Sequence, residues 1–164
     1  VVPIVNVRDP RDVCVSSVFY FSEILNQLCG SDADFNTRLA FTIQFQGCKV
    51  YFGPLFFFRR VIELMDTIDP VVLRFEDLTG PLGGGSLEAQ LNTIHSIAAR
   101  LRIPMSEERA HAIADKLFGS SPTFREGQIG SWRTHFTEEH KALFKASGLQ
   151  PYLIRLGYES DDQW

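Results

Sequence analysis

At 164 residues, 45% apolar and 22% charged, the chain has the composition of a soluble globular domain, with room for one sizeable core and not for two. Its net charge of −4 excludes the broad basic footprint of a nucleic-acid-binding protein, so any anion must be met by a few placed basic groups. Cys14, Cys29 and Cys48 are odd in number and too widely spaced for a metal site or a disulfide framework, which points to a reducing, cytoplasmic setting and no metal.

The apolar run Val1, Val2, Ile4, Val5, Val7 predicts a strand over Val2–Val7. It has no basic n-region or cleavage site, so it does not read as a signal peptide. With no methionine and a start inside a strand, the sequence is expected to be trimmed or incomplete. Arg8-Asp9-Pro10-Arg11-Asp12 then turns the chain into a helix, with Asp9 as N-cap, Pro10 at the first helical position and Asp12 in a cap-like role at the positive end of the dipole. Helix-terminal N–H groups beside an arginine make an anion site, most naturally for phosphate. Taken alone, the same residues serve equally well as a helix start whose Arg8 pairs with Asp9 or Asp12.

The helix is predicted to run to about Leu28, where Cys29-Gly30-Ser31 ends it. Residues 31 to 50 read as an irregular or helical lid-like segment, rich in Phe among the 14 of the chain. Tyr51 to Asp66 reads as a helix through Phe57, Val61, Leu64 and Met65. The longest apolar run, Val50 to Phe58, is interrupted by Gly53-Pro54 and closed by Arg59-Arg60, far short of a membrane span. Asp69-Pro70 is a turn, and Val71 to Phe75 a short buried strand of the kind found in parallel sheets.

After Glu76-Asp77-Leu78 comes TGPLGGGS, residues 79 to 86. It lacks the Gly-Lys-Ser/Thr ending of a phosphate loop, so the expectation is a flexible connection with Ser86 as helix cap. Helices are predicted over 86–101 and 106–118, separated by Ile103-Pro104 and opened by Ser86 and Ser106. Residues 119–135 read as a loop, and Thr137 with Glu138-Glu139 opens a last helix ending near Ser147-Gly148. His95 and His111 fall in helices and His135 and His140 flank the last helix start. Structural roles are expected for all four, with His135 the least implausible base. Strands alternating with helices predict an α/β class with few parallel strands and many helices. A two-stranded parallel sheet cannot cover its own faces, so residues 1–164 are expected to form a single, incomplete domain.

A second chemically pointed segment is Thr123-Phe124-Arg125-Glu126-Gly127-Gln128-Ile129-Gly130-Ser131-Trp132-Arg133, followed by Phe136-Thr137. Glycine lets backbone N–H groups approach an anion, arginine supplies a planar fork for phosphate oxygens, and Trp132 is expected to anchor the loop in the core. Together the two segments resemble the cytosolic-type sulfotransferase family, which uses 3′-phosphoadenosine 5′-phosphosulfate (PAPS) as sulfuryl donor. Arg8 to Ser16 matches the family's R-[ND]-P-[KR]-D-x-x-x-S at every position. TFREGQIGSWRTHFT fits its later [FT]-[FM]-R-K-G-x-x-G-[DES]-W-[KR]-x-x-F-T. Arg74-Phe75-Glu76-Asp77-Leu78 and the closing Leu156-Gly157-Tyr158-Glu159 resemble two further family segments.

The resemblance implies a P-loop-type three-layer fold, of which this chain would be the C-terminal portion. It implies that Arg8, Ser16, Arg125 and the Gly127 backbone contact the donor's 3′-phosphate, with Phe75 and Phe124 on the adenine side. PAPS would be the co-substrate, 3′-phosphoadenosine 5′-phosphate the product, and a small-molecule or glycan hydroxyl or amine the acceptor. Two positions depart from the pattern. Glu126 stands where the family usually has Lys, weakening donor affinity or pointing to solvent, and Phe75 stands where many members have Tyr. The phosphosulfate loop with its Lys, and the His that serves as general base, are expected upstream of Val1, so the chain by itself is not expected to turn over. Two other readings compete: a non-catalytic nucleotide- or partner-binding module of the same fold, and a relative of the P-loop kinases, against which the TFREGQIGSW loop argues. Neither the acceptor nor the oligomeric state is written in these residues.

Overall fold

In the computed structural model, which describes residues 2–45, 47, 51–119 and 125–164, the two predicted strands pair with each other. Strand β1 (Ile4–Val7) lies parallel to β2 (Val71–Arg74), in a register that runs from Ile4 opposite Val71 to Val7 opposite Arg74. The alternation of β1 buries Val5 and Val7 and leaves Ile4 exposed. β2 departs from the buried strand expected of it, since Val72 is 40% exposed and its neighbours are half-buried. A sheet of two strands has only one covered face, so β-branched residues on the other stay open. β2 also stops at Arg74, and Phe75 is the first residue of a short helix, α5 (Phe75–Leu78). The architecture is mostly helical with this small parallel sheet, which fits the α/β class.

The chain divides into two compact units, one of Val1–Arg8 with Leu64–Ile129 and the other of Asp9–Glu63 with Gly130–Trp164. The first holds the sheet, α5, a single 3₁₀ turn (Pro81–Gly83), α6 (Leu87–Arg100) and α7 (Glu107–Leu117). Both long helices start as their sequences dictate. Ser86 Oγ accepts the Ala89 N–H at 3.0 Å, and Ser106 Oγ accepts the Arg109 N–H at 3.2 Å, each satisfying an otherwise orphaned donor. α6 packs against α5, β2 and α7, and at its contact with α7 Ile94 meets the small residues Ala110 and Ala114, with Leu91, Met105 and Ile113 around them. The buried Gln90 amide is satisfied by the carbonyl of Leu78 at 2.7 Å.

The second unit contains α1 (Pro10–Tyr20), α2 (Ser22–Cys29), α3 (Phe35–Gln44), the start of α4 (Pro54–Thr67), α8 (Trp132–His135), α9 (Glu138–Ala146) and α10 (Gln150–Arg155). α1 packs on α2, α3 and α8, and α3 on α9. The single helix expected from Pro10 to Leu28 is broken at Phe21 (φ −101°, ψ 27°), whose ring lies 4.9 Å from that of Tyr51, so tertiary packing overrides a continuous helical pattern. Of the segment 31–50, Phe35–Gln44 is a helix capped by Asp34, which accepts the Thr37 N–H at 2.8 Å, while residues 46 and 48–50, Cys48 among them, lie outside the described residues. α4 starts later than expected, at Pro54, where a proline suits the first turn. The loop expected over 119–135 contains α8, and α10 was not foreseen. Among the described residues, no helix is long and apolar enough to cross a membrane, and no cluster of His, Cys, Asp and Glu is placed to hold a metal ion.

Candidate phosphate-binding site

The register of the sheet brings the first site residues together. Val7 and Arg74 are partners at the C-terminal ends of parallel strands, so the residues that follow them, Arg8 and Phe75, leave the sheet side by side. The Arg8 guanidinium lies over the Phe75 ring, 4.2 Å from its centroid, and Nη2 donates to the Gln128 carbonyl at 2.9 Å. That hydrogen bond spans 120 residues of sequence and joins the two motifs that the sequence analysis paired. The C-terminal end of parallel strands is where open α/β sheets take their ligands.

Around Gln128 the loop is built from backbone. Gly127 has φ 63°, a conformation that favours glycine. The Gln128 side chain donates to the carbonyls of Leu82 at 3.0 Å and Glu126 at 3.2 Å, and the Ile129 N–H donates to Gly83 at 3.0 Å. A Cβ on Gly83 would stand 2.7 Å from the Gly127 carbonyl oxygen, so the turn and the loop fit only without a side chain there. TGPLGGGS is therefore a packed turn on which loop 125–129 rests, where a flexible connection was expected. Its own amides are used internally: the N–H groups of Gly83 and Gly85 donate to the Gly80 carbonyl at 3.2 and 2.9 Å, and that of Gly84 to Pro81 at 3.2 Å. With those donors committed, the turn is a support and not a phosphate cradle.

Arg125 is 45% exposed at its side chain, and its Nη2 lies 3.1 Å from Oε1 of the half-exposed Glu126. Glu126 thus lies against the arginine beside it. The first unit accordingly holds Arg8, Phe75, Arg125 and Gly127, with direct contacts between Arg8 and Phe75 and between Arg8 and the loop. Ser16 belongs to the second unit, exposed on α1. Phe124 lies outside the described residues. Sequence reasoning missed Gln128 and the support from Leu82 and Gly83. The one available signal was that both segments are glycine-rich.

The remaining residues of the two motifs meet inside the second unit. Asp9 is the N-cap the sequence predicts, accepting the Arg11 N–H at 2.9 Å. The Arg11 side chain, 1% exposed, pairs with Asp9 at 2.7 Å and with Glu159 at 2.6 Å, and its guanidinium carbon lies 3.9 Å from the Trp132 ring centroid and 4.5 Å from that of Trp164. Asp12, in the first turn of α1, is fully buried. Its carboxylate accepts the N–H groups of Gly130 at 2.7 Å and Trp132 at 2.8 Å, and the Ser131 hydroxyl at 3.2 Å. Trp132 is buried, the anchor it was expected to be.

Among the described residues, the displaced titratable groups owe their shifts to burial or to structural hydrogen bonds. The buried Cys14 thiol is pushed far up by loss of solvent and then by the charge of Asp9, and Cys29 is also raised by burial. Burial pushes the Tyr51 hydroxyl up to about 12. Asp34 is held below the usual carboxylate range by the backbone hydrogen bond from Thr37. His140 Nδ1 accepts the Thr137 N–H at 3.2 Å in a capping box, which leaves Nε2–H to donate to the Asn36 carbonyl at 3.0 Å. His135 packs its ring 4.8 Å from Phe35, and His95 lies 3.2 Å from Glu107. These are structural arrangements. Comparison of the chain with protein-family models, with curated proteins and with solved structures gives no match.

Proposed function

We propose that this chain contributes the 3′-phosphate half of the donor site of a PAPS-dependent sulfotransferase, an enzyme that moves a sulfuryl group from PAPS to a hydroxyl or amine acceptor. The observation that carries the reading is the Arg8–Gln128 hydrogen bond, because it brings the arginine of the first motif to the loop of the second. The residues fit a phosphate. Two guanidinium groups, Arg8 and Arg125, are forks that match phosphate oxygens bidentately, and the left-handed Gly127 permits a close backbone approach. When bound, the nucleotide supplies the sulfuryl group. What this chain's residues do is recognise and orient its adenosine end.

In this reading Arg8 and Arg125 bind the 3′-phosphate, and the Gly127 backbone completes its contacts. A P-loop-type three-layer fold and a small-molecule or glycan acceptor follow from the same resemblance and stand or fall with it. Calorimetric titration with 3′-phosphoadenosine 5′-phosphate and with 5′-AMP tests the assignment. The bisphosphate is expected to bind tighter, and Arg8→Ala or Arg125→Ala to remove about 1.5–3 kcal/mol, about ten- to a hundredfold, from its affinity while sparing 5′-AMP. Equal binding of the two nucleotides by the unaltered chain overturns it.

A further inference from the structure

We infer that Phe75 is a positioning residue for Arg8 and through it sets the preference for a 3′-phosphate, an inference that rests on the reading just given. The contact that supports it is specific. The guanidinium carbon stands 4.2 Å from the Phe75 ring centroid, well inside the range of a cation–π contact, and the same guanidinium donates to the Gln128 carbonyl. Stacking on a ring and donating to a carbonyl fix the guanidinium plane from two directions. An arginine so held loses little freedom when it takes a planar bidentate partner.

Placement explains why this residue does the work. Phe75 is the first residue of α5, directly after the last sheet residue, Arg74, whose register partner is Val7. The sheet pairing therefore delivers the ring to the residue after Val7, which is Arg8. Phe75 is half-buried, so a ring of this size is kept in place by its surroundings. A tyrosine, common at this position in the resembled family, would present the same aromatic face to Arg8. Replacement by an aliphatic residue would not.

Affinities of the 164-residue chain for 3′-phosphoadenosine 5′-phosphate and 5′-AMP, taken as a ratio, separate this role from a general one. Phe75→Leu and the unbranched, flexible Phe75→Met are expected to lower the ratio by about three- to tenfold, and Phe75→Tyr to preserve it. In an Arg8→Ala background, Phe75→Met is expected to change the ratio no further, because the residue acts through the arginine. A Phe75→Met chain that weakens both nucleotides equally would place the ring on adenine and overturn the inference, leaving the 3′-phosphate reading intact. A wild-type ratio near one would overturn that reading and the inference with it. If Phe75→Leu does not fold, as judged by circular dichroism, the Met and Tyr variants carry the decision.

Discussion

Arg8 and Arg11 stand three residues apart in one motif and have opposite surroundings. Arg11 is 1% exposed, paired with two carboxylates and set against two tryptophan rings. Arg8 is half-buried at the end of a strand, with its guanidinium over the Phe75 ring and donating to the Gln128 carbonyl. Burying a guanidinium is costly unless charge and hydrogen bonds offset it, and the web around Arg11 supplies both. That arginine is committed to structure. The contrast teaches that a motif rich in arginine does not bind an anion with every arginine. The neighbourhood of each one decides.

The largest effect that sharpens the contrast is expected from Arg11→Ala. It leaves Asp9 and Glu159 without their buried partner and should cost about 3 kcal/mol or more in denaturant unfolding. A loss below about 1 kcal/mol would remove the structural assignment. Next comes Asp12→Ala, which orphans the N–H groups of Gly130 and Trp132 and should cost about 2–4 kcal/mol by the same measurement. Asp12→Asn should cost less, since an amide oxygen still accepts one of them.

A pH series probes the interior of the same unit. Cys14 and Tyr51 are both raised by burial, so the unfolded chain releases their protons first as pH rises. The stability they contribute is complete below about pH 8.5 and is lost above it, by at most about 1.4 kcal/mol per pH unit for each group. Cys14→Ala should flatten the decline between about pH 8.5 and 10 and make it shallower above pH 10, where Tyr51 also contributes. An unchanged curve would contradict the burial of the thiol. The smallest effect belongs to the half-exposed pair at the candidate site. Glu126→Gln should leave stability unchanged and tighten binding of 3′-phosphoadenosine 5′-phosphate about two- to fivefold by releasing Arg125 from its neighbour.

Local features were legible in the sequence. Asp9, Ser86, Ser106 and Thr137 cap the helices their side chains predict, because capping depends on residues within one turn. The two strands and the anchoring Trp132 were legible for similar reasons of pattern and size. What stayed hidden is long-range. Nothing near Asp12 says that its carboxylate is needed by Gly130 and Trp132, and nothing in TGPLGGGS says that loop 125–129 will rest on it. The break at Phe21 was hidden as well, since it accompanies a ring contact with Tyr51 and interrupts a pattern that locally favours one helix. At the candidate site, the pairing of Arg8 with the second motif was inferred from family resemblance, whereas the part played by Gln128 emerged only from geometry.

The central claim, that Arg8 and its loop read a 3′-phosphate, is tested most directly by two isomers of equal charge. Titrated in parallel, 3′-phosphoadenosine 5′-phosphate should bind the unaltered chain about tenfold or more tighter than 2′-phosphoadenosine 5′-phosphate, and Arg8→Ala should bring the two together. Equal affinity of the unaltered chain for both isomers would contradict the account.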